Sequence, residues 1–277
     1  MIFENDKKKP IKNEAIVNPF TLNGQNIPVV NSMRYLGIFI NDDGNNKTHI
    51  EAKISYAKRK LSELSRIGIY SYEMNPLLKA QVYQTMIRPI LIYGSEVSNY
   101  NIGEQRMIRT ADGNMIKEII GINKRCHHSK LTRALNLKDI GDLLNYNKCS
   151  FFLRMIKHKY MVELMKNVIV SLPPPKGRFQ LTTSFFEEIF KLIKIDYVLN
   201  KGYVWEWQNV IERTNKKIAE YDSCHLKMKD DEEVVEIRKI LELPYITMVS
   251  TLNDLLLAID DNQMSESEDS VTDQSYD

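Results

Sequence analysis

The sequence predicts a mainly α protein with a small N-terminal antiparallel β-hairpin or meander, in which a helical bundle is followed by a second helical region. Three observations predict it. Between Phe20 and Ile40, short apolar blocks are punctuated by turn dipeptides, the pattern of strands. After residue 47 the apolar spacing becomes i, i+4, i+7 and stays helical. Ser171-Leu172-Pro173-Pro174-Pro175-Lys176-Gly177 then interrupts the helical pattern, because three prolines favour an extended chain. These boundaries divide the 277 residues into 1–47, 48–170, 171–259 and 260–277.

The elements follow in order. Asn23-Gly24 is a hairpin signal, since a type I′ turn needs positive φ at both central residues. Ile27 to Val30 reads as the return strand, and Met33 to Ile40 as a third strand broken by Gly37. Asp42-Asp43-Gly44 closes the strand region with turn chemistry. Thr48-His49-Ile50-Glu51 fits a capping box, and Ile50, Ile54, Ala57, Leu61 and Leu64 line one face of the helix behind it. Asn75-Pro76 caps and opens a second helix, which Pro89 ends or kinks. A third helix is expected over 103–120 with Gly121 as its left-handed stop, and a fourth over 139–169. Beyond the prolines, Ser184 to Glu187 fits another capping box, and further helices are expected near 203–220, 230–242 and 250–259. The Ser-, Asp- and Glu-rich stretch 260–277 has almost nothing to bury and reads as a disordered acidic tail.

A net charge of +2 hides an asymmetry. Residues 1–170 hold 26 Lys and Arg against 15 Asp and Glu, a net of +11, while 171–277 hold 12 against 21, a net of −9. A basic part of this kind suits a polyanion. No apolar run approaches the length of a membrane span, so no membrane partner is expected. Cys126, Cys149 and Cys224 are too few and scattered for a disulfide framework, which fits an intracellular protein, nuclear or cytoplasmic.

The stretch from Ile27 to about Lys157 resembles the end of the palm and the thumb of reverse transcriptases of non-LTR (LINE-type) retrotransposons. An apolar strand leads into Tyr35-Leu36-Gly37. A helix follows with His49-Ile50, Lys53-Ile54, Ala57, Leu61 and Leu64, and then Tyr83 and Ile87-Arg88-Pro89-Ile90-Leu91-Ile92-Tyr93-Gly94-Ser95-Glu96. Gly121, Lys124-Arg125, Arg133 and Arg154-Met155 are similar to the family's later basic segments. Ser98 departs from the tryptophan usual there, and the zinc knuckle of some relatives is absent.

The resemblance implies a thumb-like bundle over 48–170 behind a palm-end hairpin. It implies that Arg34, Tyr35, Leu36 and Gly37 form a primer grip, that Lys53, Lys58, Arg59, Lys60 and Arg66 track a duplex backbone, and that Arg88 joins them. The bland readings stand beside these: an edge hairpin bulged at Gly37, and an ordinary solvated helix face. An intact family member uses Mg²⁺, held by aspartates that are expected upstream of Met1. The chain itself is therefore expected to need no cofactor and to catalyse nothing. A remnant of this kind is expected to bind an RNA–DNA or RNA duplex. The alternatives are a non-catalytic helical scaffold or interaction module, and the C-terminal piece of a split polymerase with a separate palm and fingers chain.

Other residues carry weaker signals. Asp42-Asp43 follows Tyr-Leu-Gly instead of an aromatic-x sequence, so it reads as a turn and not as a two-metal pair. Cys126-His127-His128, Cys149 and His158 lack the spacing of zinc ligands. Tyr203, Trp205 and Trp207 read as packing residues. Ser265 and Ser270, with acids three residues on, suit an acidophilic kinase. An acidic tail that folds back is expected to compete with nucleic acid.

Overall fold

A computed structural model describes residues 21–28, 30–42, 44–171, 181–194, 207–227 and 231–269. The chain is mainly helical with small N-terminal antiparallel hairpins. It divides into two compact units. Unit 1 comprises Met1–Lys53, Tyr93–Gln105 and Leu144–Ala219, and unit 2 comprises Ile54–Ile92, Arg106–Leu143 and Glu220–Asp277. These units cut across the sequential boundaries that the sequence suggests at 47 and 170, because the contacts that assemble them are long-range.

Unit 1 opens with two separate two-stranded sheets. β1 (Thr21–Leu22) pairs with β2 (Gln25–Asn26) around Asn23 and Gly24, whose φ values of 51° and 77° give the primed turn that the dipeptide predicts. The stretch 33–40 is not one bulged strand. It is a second hairpin, β3 (Ser32–Tyr35) against β4 (Ile38–Asn41), turning on Leu36 and Gly37. Helix α1 (Lys47–Glu63) starts one residue before Thr48, so the expected capping box does not form. The Ile50 N–H bonds to the Asn46 carbonyl, and Thr48 Oγ1 instead accepts from the Asn41 amide. Further along the chain, helices α6 (Ile140–Ile156, from Leu144 on), α7 (Lys159–Ser171), α8 (Leu181–Leu192) and α9 (Trp207–Lys227, as far as Ala219) follow. The single helix expected over 139–169 is thus two, separated at Lys157-His158, where polar residues interrupt the apolar repeat. Ser184 lies inside α8, which begins at Leu181. The core of this unit gathers Phe152, Ile156, Met165, Ile189, Phe190, Ile193 and Val210, with Phe152 and Phe190 edge to face at 6.2 Å.

Unit 2 holds the second half of α1, a 3₁₀ turn (Leu64–Ile67), α2 (Pro76–Met86), α3 (Arg88–Ile92), α4 (Ile102–Ile120, from Arg106 on), α5 (Ser129–Ala134), α10 (Glu232–Leu241) and α11 (Tyr245–Asp269). Asn75 Oδ1 accepts from the Leu77 N–H with Pro76 at the first helical position, as the sequence predicts. The chain breaks helix at Ile87, just ahead of Arg88-Pro89. Gly121 (φ 89°) ends α4, with the Gly121 and Ile122 N–H groups both directed to the Lys117 carbonyl. Short α5 is not anticipated by the sequence, since six residues are too few to display a period. α11 continues to Asp269, beyond the Asp260 where the sequence suggests a tail, because adding residues to a nucleated helix costs little.

The core of unit 2 joins Leu61, Tyr83, Ile87, Met115, Ile116 and Leu131 to Val234, Ile237, Leu252 and Leu256. Each fully buried Leu or Ile contributes about 1.5–3 kcal/mol. Residues from α10 and α11 therefore complete the core that the helices of 54–92 and 106–143 begin. Charge follows the same route: Lys130 pairs with Glu233, Arg133 with Asp231, and Lys138 with Asp222 at 2.6 Å.

Candidate nucleic-acid interface

The tip of the β3–β4 hairpin is a constrained surface feature of unit 1. Leu36 has φ 48° and Gly37 φ 79°. A left-handed leucine is strained, so the turn needs a fastening. Tyr93 supplies it, donating from Oη to the Leu36 carbonyl at 2.8 Å. The same ring lies 3.4 Å from where a Cβ on Gly37 would sit. Gly94 follows with φ 85°, and a Cβ there would meet Ile38 Cγ1 at 3.1 Å and His49 Nε2 at 3.2 Å. Positive φ and this close approach together favour glycine here.

His49 binds three segments together. The Phe39 N–H donates to its Nδ1 at 3.3 Å, and its Nε2 lies 3.1 Å from the Tyr93 carbonyl. A carbonyl only accepts, so the ring is neutral with its proton on Nε2. Burial lowers the His49 pKa, the bond to the Tyr93 carbonyl opposes that, and the charge of Lys53 adds to the lowering.

Two cations border this tip. Lys53 Nζ lies 4.2 Å from the Tyr93 ring centroid, and the Arg34 guanidinium 5.8 Å from the Phe39 ring centroid. Burial lowers the Lys53 pKa, and Arg34 repels the same charge. Tyr35 and Leu36 are exposed at the turn. Arg34, Tyr35, Leu36, Gly37 and Lys53 thus share one corner of unit 1.

The remaining basic residues singled out by the sequence on this stretch belong to unit 2: Lys58, Arg59 and Lys60 on α1, and Arg66 in the 3₁₀ turn. Lys58, Arg59 and Arg66 are exposed. Lys60 is committed to Glu63 at 2.7 Å, a bond that raises its pKa and lowers that of Glu63. Arg59 lies 5.0 Å and Lys60 5.8 Å from the Tyr56 ring centroid, so a half-exposed tyrosine sits among cations.

Arg88 must be removed from the interface. Its side chain is 1 % exposed and points inward. It grips Asp112 with Nε at 2.9 Å and Nη2 at 2.7 Å, and Nη1 donates to the Lys138 carbonyl at 2.6 Å. Tyr83 Oη adds a 2.8 Å bond to Asp112 Oδ1. Burial and then the Asp112 charge push the Tyr83 pKa well up. The sequence hides this because its default for arginine is exposure and the partner lies 24 residues away.

Asp42 is in a turn whose N–H bonds to the Asn31 carbonyl, and Asp43 lies outside the described residues. Among the described residues no three His, Cys, Asp or Glu converge as metal ligands. Cys126 is buried with Sγ 3.4 Å from Asn253 Oδ1, and burial pushes the Cys149 thiol up to about 11. His127 contacts Ser129 Oγ, His128 packs on Gly113, and His158 stacks near Tyr160. Tyr203, Trp205 and Ser270 lie outside the described residues, while Ser265 falls on the α11 backbone. No described helix is long and apolar enough to cross a membrane.

His49 and Tyr93 are the residues to which sequence reasoning gave no role. Their signal was present, since both stand inside the family-like motifs, but motif order does not say which residues touch. No protein-family model, curated protein or solved structure matches the chain.

Proposed function

We propose that the chain is a nucleic-acid-binding module corresponding to the last palm hairpin and helical thumb of a non-LTR reverse transcriptase. It binds an RNA–DNA or RNA duplex and does not itself transfer nucleotides, since no aromatic-x-Asp-Asp pair occurs in its 277 residues. The observation that carries this reading is the fastening of Tyr35-Leu36-Gly37 by Tyr93, 57 residues further on, with His49 and Lys53 completing the contact. Three segments picked out by their family-like spacing meet at one point, with two cations beside an exposed turn. A rigid turn with backbone near the surface and cations at its flanks suits a phosphate backbone.

The test is fluorescence anisotropy with a labelled RNA–DNA hybrid across a salt series. Affinity should fall linearly in log–log form with salt, by roughly 0.9 per phosphate contact on duplex DNA. Replacing both Arg34 and Lys53 by alanine should flatten the slope by about 2, near 1 per lost contact. A flat salt response of the natural chain would favour the second reading, a protein-interaction module or the C-terminal piece of a split polymerase. That reading draws on the apolar side chains exposed on the hairpins, Leu22, Met33, Tyr35 and Leu36. A separate palm and fingers chain is the partner it calls for.

A further inference from the structure

Beside β4, unit 1 holds a cavity of about 430 Å³. That lies within the range of roughly 300–1,000 Å³ typical of small-ligand sites. Its lining combines apolar residues, among them Tyr35, Phe39 and Val97, with the asparagines Asn41, Asn46 and Asn99. Among the described residues no charged side chain lines it.

The asparagines are held in place before any ligand arrives. Asn46 Nδ2 donates to the Asn99 carbonyl at 2.9 Å, and the Asn46 N–H donates to Glu104 Oε1 at 2.8 Å. Asn41 Nδ2 donates to the Asn45 carbonyl at 3.0 Å and to Thr48 Oγ1 at 3.1 Å. These contacts fix which end of the Asn41 amide is nitrogen. They leave Asn41 Oδ1, on a side chain only 7 % exposed, with no donor among the described residues. A buried acceptor of this kind is costly to leave unmade.

We propose that this cavity takes a nucleobase, with the phosphate of the same nucleotide held by Arg34. The proposal rests on the nucleic-acid reading and names the part of the ligand that enters. A base is flat and uncharged, which suits Tyr35 and Phe39 in a lining without charges. Asn41 lines the cavity, and an amino or imino N–H that displaces the cover over its buried Oδ1 meets an acceptor with no donor among the described residues. Arg34 stands over the Phe39 ring, so a cation borders the lining where the phosphate would leave the cavity. An aromatic side chain from a partner protein would suit the apolar residues but give Arg34 no anion.

The test follows the Ile38, Ile40 and Val97 methyl signals of the full chain by NMR. The titrants are adenosine and cytidine 5′-monophosphates, inorganic phosphate, N-acetyltryptophanamide, and hybrid duplexes with blunt ends or a short single-stranded overhang. Nucleotides should move these methyls and inorganic phosphate should not. If the overhang moves them, the base comes from a strand; if only the free nucleotides do, the ligand is the mononucleotide; either upholds the proposal. Val97→Trp, which fills the cavity from a half-exposed position, should weaken nucleotide binding roughly ten- to a hundredfold, the worth of one stacked base. Methyls unmoved by every nucleotide, or moved by N-acetyltryptophanamide alone, overturn it. Steep salt-dependent duplex binding with unmoved methyls sinks the cavity and spares the proposed function, whereas loss of duplex binding sinks that function. Should Val97→Trp fail to fold, the titration of the natural chain decides alone.

Discussion

Tyr93 donates a 2.8 Å hydrogen bond from its hydroxyl to the carbonyl oxygen of Leu36. The bond pins a leucine in left-handed backbone at the tip of a two-residue turn. Tyr93→Phe keeps the ring beneath Lys53 and removes only this bond. The expected loss is about 0.5–1.5 kcal/mol of unfolding free energy in urea. Duplex affinity should fall with it if the turn must be rigid to bind. Unchanged affinity in the folded variant would separate the turn from the interface.

Gly94 and Gly37 are expected to differ in cost when each is changed to alanine. Both have positive φ, which strains any L side chain by roughly 1–3 kcal/mol. At Gly37 the new methyl meets the Tyr93 ring at an ordinary 3.4 Å, whereas at Gly94 it meets Ile38 and His49 at 3.1 and 3.2 Å. Gly94→Ala should therefore be the more destabilising, by thermal melts run side by side. Equal shifts would show that the hairpin and His49 yield easily.

The pH dependence of stability should carry the signature of His49. Its folded pKa lies below the ordinary value of about 6.5, chiefly through burial. The unfolded chain then binds the proton first. The stabilisation from neutral His49 is complete above about pH 6.5 and is lost as the pH falls through the lowered folded value. Protonation at Nδ1 would also break the bond from the Phe39 N–H. Unfolding free energies from pH 8 to 5 should fall more steeply in the natural chain than in His49→Asn. His128, whose pKa burial also lowers, remains in both and cancels in the comparison.

Arg88→Met tests the removal of Arg88 from the interface. It strands the Asp112 carboxylate in a site only 2 % exposed, and a broken buried pair costs about 3–5 kcal/mol. Adding Asp112→Asn should recover part of that loss by removing the stranded charge. In whichever variant folds, the salt slope of duplex binding should match that of the natural chain. A lower slope would return Arg88 to the surface.

Local chemistry made much of the fold legible. Asn23-Gly24, Asn75-Pro76 and Gly121 each act through their own backbone and neighbours within a few residues, so the sequence alone locates the turns and the helix ends. Tyr35-Leu36-Gly37 and Lys53 stand out as candidate contacts only through the family resemblance. What joins them does not stand out. His49 contacts residues 10 and 44 positions away, and Arg88 finds Asp112 at 24. Neither separation leaves a trace in period or composition. The charge asymmetry suggested two territories, yet Lys130 and Glu233 meet inside one unit. Net charge counts residues without saying which of them neutralise each other.

The core of unit 2 also constrains when the protein can fold. Leu61, Ile87 and Met115 leave the ribosome long before Val234, Leu252 and Leu256, which cover them in the finished core. At roughly 5–20 residues per second, several seconds separate the two groups. During that interval the nascent chain displays the apolar side of its first helices. The core of unit 2 thus closes only late in synthesis. A chain stopped before α10 would present this sticky surface to chaperones and proteases, and to other copies of itself.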